Sequence, residues 1–110
     1  MGKIEKYATI ITELLKDFER PDSYIETYLI KDVEQHHYQV LRMGWVDKDT
    51  QVIRIVVYLQ IKPDGKIWLQ ANWTEHDIVD TLMEKGVDKN DIVLGLLPES
   101  VRPYSGFAVN

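Results

Sequence analysis

Apolar and polar positions alternate with a period of two through Gln51–Ile61, QVIRIVVYLQI. One face of that run is uniformly apolar: Ile53, Ile55, Val57, Leu59 and Ile61. The other is mixed: Val52, Arg54, Val56, Tyr58 and Gln60. β-branched residues dominate, which suits a pleated strand. Pro63-Asp64-Gly65 breaks the run and Ile67-Trp68-Leu69 resumes it, so the two stretches read as a hairpin. Upstream, Tyr24–Lys31 and Tyr38–Val46 alternate in the same way, separated by the polar connections Asp32–His36 and Asp47–Thr50. Short polar turns between four successive strands make an antiparallel meander the economical pairing.

The period changes at both ends of this ribbon. Over Lys3–Phe18, Ile4, Tyr7, Ala8, Ile11, Leu14, Leu15 and Phe18 recur at three- and four-residue spacings, the signature of one helical face. Pro21 lies just beyond and stops the helix. A second helix is expected after Thr74-Glu75-His76-Asp77, where Thr74 and Asp77 have the spacing of a capping box. Its apolar stripe is Ile78, Val79, Leu82 and Met83, and Gly86 with Val87 behind it supplies a left-handed end. Ile92–Leu96 adds a short fifth strand, and Pro98–Arg102 has room for one helical turn.

The chain has 110 residues, the length of one domain spanning 1–110, and it has no cysteine to form a disulfide. No apolar run resembles a signal peptide or a membrane span, so a soluble cytoplasmic protein without membrane contact is expected. Eighteen acids against thirteen lysines and arginines leave a net charge of −5. With no run of basic residues, tight DNA binding by this chain alone is disfavoured.

Catalytic motifs are absent from the pattern. His36 and His37 are neighbours that would point to opposite sides of a strand, and His76 is remote, so no metal-ligand spacing emerges. Glu75 with Asp77, and Asp88 with Asp91, are better explained as helix starts than as metal ligands. Ser100 and Ser105 lack a nucleophile elbow, and Gly95 and Gly106 form no phosphate-cradling loop. No catalytic, cofactor-binding or metal-binding residue is assigned. The mixed sheet face is the remaining candidate: Val40, Val52 and Val56 with Arg42, Arg54, Tyr58, Trp68 and Gln70. Aromatic residues beside arginine are the composition of interface centres. These last five residues are expected to share one partner-binding patch.

Four stretches in order resemble the XisI family, the fdxN-element excision controlling factors of cyanobacteria. They are His37-Tyr38-Gln39-Val40 with Gly44-Trp45; Gly65-Lys66-Ile67-Trp68-Leu69-Gln70 with Thr74-Glu75; Gly86-Val87 with Asp91-Ile92-Val93-Leu94-Gly95; and Val101-Arg102, Tyr104 and Phe107-Ala108-Val109. Two places depart from the family pattern: Asn72-Trp73, where an acid commonly precedes Thr-Glu, and Leu96-Leu97, where an aromatic residue and a histidine are common. The resemblance implies an α+β fold in two layers, an antiparallel sheet of four to five strands covered on one face by the N-terminal and middle helices. It also implies a non-enzymatic accessory role in programmed excision of a DNA element by a site-specific recombinase. The partners it implies are an XisH-like protein and the recombinase, with self-association as a further option. A metal-dependent nuclease using acids near Asn72–Asp77, or a sequence-specific DNA-binding component, are the alternatives.

Overall fold

The computed structural model describes residues 2–110. Helix α1 (Lys3–Lys16) buries Tyr7, Ile10, Ile11, Leu14 and Leu15, the stripe its sequence lays out. It ends at Asp17, a turn short of the proline. Strands β1 (Glu26–Asp32), β2 (His37–Trp45), β3 (Gln51–Ile61) and β4 (Ile67–Asn72) form the antiparallel meander.

Each of the three hairpin turns is opened by an aspartate whose carboxylate accepts backbone N–H groups. Asp32 takes those of Glu34 and Gln35, Asp47 those of Asp49 and Thr50, and Asp64 that of Lys66. These side chains mimic a backbone turn. The charge-assisted bonds hold the Asp32 and Asp47 carboxyls below the usual carboxylate range. Gly65 closes the third turn at φ +89°, a conformation glycine adopts without a Cβ penalty.

The second helix, α2 (Ile78–Glu84), begins later than the capping-box reading expects. Asp77, rather than Thr74, is its cap, accepting from the Asp80 N–H at 2.9 Å. Thr74 instead donates to the side chain of Asn72 at 2.6 Å in the preceding turn. At the far end, the Gly86 N–H donates to the Met83 carbonyl and the Val87 N–H to the Leu82 carbonyl. With Gly86 at φ +107° and Val87 buried, this is a complete left-handed helix stop.

The chain then makes strand β5 (Ile92–Val93), which is parallel to β4. The sheet order is β1-β2-β3-β4-β5, and the sheet is therefore mixed where an all-antiparallel one was expected. The reason is topological: β4, α2 and β5 form a crossover, and a helix between neighbouring strands brings the second back in the same direction. Strand pairing stops at Val93, and the expected continuation to Leu96 becomes a bend whose Leu96 N–H reaches across to the Leu69 carbonyl. A short 3-10 turn at Arg102–Tyr104 follows, and the tail returns so that the Ala108 N–H donates to the Ile92 carbonyl.

The core lies between the helices and one face of the sheet. Tyr38, Val40, Val57, Leu59, Ile67 and Leu69 meet Ile11 and Leu15 of α1 and Ile78 and Leu82 of α2. Tyr7 ties the layers together at their rim. Its hydroxyl donates to Asp91 at 2.7 Å and accepts from the Asp88 N–H at 3.3 Å, while Lys3 pairs with Asp91 at 3.3 Å. Burial and the Asp91 carboxylate both push the Tyr7 phenol up.

Two β-bulges break the period of two. Val40 pairs with Val57 but Leu41 pairs with Ile55, so Val56 is an extra residue in β3. Likewise Tyr58 pairs with Ala71 but Leu59 with Leu69, so Gln70 is extra in β4. One added residue reverses every side chain beyond it. Val57, Leu59 and Ile61 accordingly face the helices, while Ile53 and Ile55 face away from them, 61% and 40% exposed.

Candidate functional site

The bulges separate the residues expected to share one patch. Arg42 pairs directly with Arg54, and Arg42 lies on the same side of β2 as the buried Val40. Both arginines therefore belong to the helix-bearing face. Tyr58, opposite Gln39, and Trp68, opposite Gln60, lie on the helix-free face. Gln70 joins them, its amide donating to Gln60 at 3.4 Å. Val40 and Val56 are core residues, not members of an open face. The single mixed patch is thus two surfaces on opposite sides of the sheet, because Val56 takes two alternation steps into one pairing step.

Trp68 is also not an open anchor. Lys62 lies over its ring at 4.2 Å and Arg102 at 5.0 Å. Gly95 packs so closely against it that a Cβ there would sit 2.9 Å from the ring. The C-terminal tail thus occupies this end of the helix-free face, and Trp68 is the residue it rests on.

Among the described residues, the rest of that face carries no helix and no tail. Tyr28, Leu41 and Ile55 form one cross-strand row, and Glu26, Met43 and Ile53 the next. Ile30 and Trp45 extend the apolar area at either end, each about half exposed. Apart from Glu26, which accepts from the Tyr28 hydroxyl at 2.7 Å, these side chains form an apolar surface of the kind that marks interaction sites. Sequence reasoning missed Leu41, Met43, Trp45, Ile53 and Ile55 as surface residues. An unbroken period would have placed the two isoleucines in the core.

The histidines are local fixtures. His36 sits at φ +60° in the β1–β2 turn, with Nδ1 2.9 Å from the Tyr38 hydroxyl. His37 Nδ1 lies 2.7 Å from the Tyr58 hydroxyl on the other side of the strand. His76 meets Phe18 edge-on at 5.1 Å. Among the described residues no three His, Asp or Glu side chains converge as a metal site. Of the acidic pairs, Asp77 caps α2, Asp88 caps the short turn before β5 by accepting from the Asn90 N–H, and Asp91 is held by Tyr7 and Lys3. No helix among the described residues is long and apolar enough to cross a membrane.

These features define a small two-layer α+β protein whose distinctive surfaces are an uncovered sheet face and an arginine pair. The chain belongs to the XisI family: the XisI protein family model matches residues 1–109. Its fold is similar to that of a solved XisI-like protein from Anabaena variabilis ATCC 29413, with 36% identity and a TM-score of 0.88. The match covers 97% of this chain and 99% of that one. A second solved structure, the fdxN element excision controlling factor XisI from the same organism, is 33% identical with a TM-score of 0.84. It covers 99% of this chain and 100% of its own. No curated protein matches the chain.

Proposed function

We propose that this protein is a non-enzymatic controlling factor for excision of a DNA element, acting by docking on another protein. The reading joins the family membership and the name of the solved relative, an fdxN element excision controlling factor, to one observation. That observation is the apolar ridge on the helix-free sheet face, with Ile53 and Ile55 at its centre. Its occupant in this proposal is an XisH-like companion, through which the chain reaches a site-specific recombinase. Tyr58 borders the ridge and supplies a polar rim contact, whereas Trp68 and Gln70 act indirectly, by seating the tail at Gly95 beside it.

The test is co-elution of the two purified proteins on a sizing column, next to a melting curve. Ile53→Asp places a charge at the ridge centre and should abolish co-elution while the variant stays folded, because the position is already largely in water. Undiminished co-elution by a folded Ile53→Asp protein overturns the assignment of this face. Magnesium-dependent cleavage of plasmid by the pure protein, lost in Glu75→Ala, overturns the non-enzymatic part.

A further inference from the structure

Although no lysine or arginine cluster is visible along the chain, the fold assembles one. Arg20 forms an isolated bridge with Thr27, Thr27 pairs with Arg42, and Arg42 pairs with Arg54. Directly paired residues share a side of the sheet. Three of the four arginines thus stand in one row across the strands, on the helix-bearing face. The row is uncovered because α1 is too short. Its 14 residues span roughly 21 Å, whereas the 11 residues of β3 span roughly 36 Å. Phe18 and His76 close the row on the helix side, leaving an open groove of about 420 Å³. At the far end of the row, Arg54 lies 4.5 Å from the ring centre of Trp73, which is 66% exposed.

Arg42 and Arg54 face each other directly, an arrangement that like-charge repulsion disfavours. Acids outnumber bases in this chain, yet no carboxylate forms a salt bridge with any of the three arginines among the described residues. Arg20 spends one nitrogen on the carbonyls of Asp17 and Glu19, which aims its guanidinium without neutralising it. Planar guanidiniums suit the oxygens of a phosphate, and an exposed indole beside them suits a stacked base. The groove volume falls within the range of small-ligand sites. Glu75 also lines it, on the side of the groove that carries Thr74 and His76.

We propose that this groove binds a nucleotide unit, with its phosphate held by Arg42, which lines the groove, and by Arg54 at its rim, and its unpaired base on the exposed Trp73. The source is a free nucleotide or one residue of a single strand, which share this chemistry. The proposal does not depend on the ridge across the sheet, and Ile53→Asp should leave it intact.

Isothermal titration calorimetry of the full chain tests it, with thymidine monophosphate, thymidine, inorganic phosphate, a single-stranded thymidylate oligomer and a glutamate-rich peptide as ligands. Saturable binding of the monophosphate, stronger than that of phosphate or thymidine, is expected. Equal affinity for the oligomer per site assigns a free nucleotide, and tighter binding assigns a strand; either supports the proposal. Arg42→Gln with Arg54→Gln should remove binding and, by relieving repulsion, should not lower the melting temperature. Trp73→Ala, at an exposed position, should weaken binding by roughly 5- to 150-fold, the loss of one stacked base. It decides the matter should the double variant fail to fold. No saturable binding of either thymidylate, binding of the acidic peptide in their place, or affinity unchanged in a folded variant overturns the proposal.

Discussion

Leu59→Ala and Ile53→Ala each remove three carbons from the same strand, six residues apart, on positions that a strict period of two would treat alike. Leu59 is fully buried, between Tyr38 on β2 and Leu69 on β4. At about 0.8 kcal/mol per buried carbon, the lost transfer energy is about 2.4 kcal/mol. A residual cavity of about 40 Å³ adds about 1 kcal/mol at about 24 cal/mol per Å³. The expected cost is therefore about 3 kcal/mol, a fall in melting temperature of roughly 12–20 °C for a domain of this size. Ile53 lies beyond the bulge and is already 61% exposed, so its truncation should cost less than about 1 kcal/mol. Urea unfolding followed by circular dichroism measures both, with the slope checked for constancy between variants. Equal costs at the two positions would refute the bulge at Val56, because they would mean that the alternation runs unbroken. A Leu59→Ala cost below about 1 kcal/mol would remove Leu59 from the core.

Three further outcomes follow from local geometry. Gly86→Val should destabilise by about 1–3 kcal/mol in the same assay. The surroundings are open, but φ +107° is hostile to a β-branched side chain; no change in stability would mean the helix stop tolerates another conformation. Tyr38 is fully buried, and burial pushes its phenol up. Its folded pKa thus lies above the unfolded one, so its contribution is complete below the unfolded value near pH 10 and is lost as pH rises through the folded value. Tyr38→Phe should flatten the fall of melting temperature over roughly pH 9–11, and an unchanged slope would discount it. Asp47 has the opposite sign: its depressed carboxyl stabilises above the unfolded value near pH 3.9 and loses that contribution as pH falls through the folded one. Asp47→Asn should reduce the acid-side slope, and melting curves at descending pH would show it.

Much of the local structure is written in short-range signals. The bounds of β3 follow from its β-branched run and the turn residues at either end, and the stop after α2 follows from Gly86 and Val87. The family, too, was readable from the ordered set of short motifs, with Tyr38 and Val40 inside one of them. What the sequence left open depends on partners distant along the chain. Val56 looks like any other valine in a β-branched run, and only the pairing of Val40 with Val57 and Leu41 with Ile55 makes it a bulge. That single extra residue moves Ile53 and Ile55 from core to surface and puts Arg42 and Arg54 on the face opposite Tyr58. Trp68 has the pattern of an exposed anchor until the tail folds back across it. Arg20, Arg42 and Arg54 are scattered in sequence and become neighbours only because antiparallel register sets them in one row. Periodicity specifies which residues alternate, but ladder register and chain return decide which face each half of a strand presents, and those are properties of the assembled sheet.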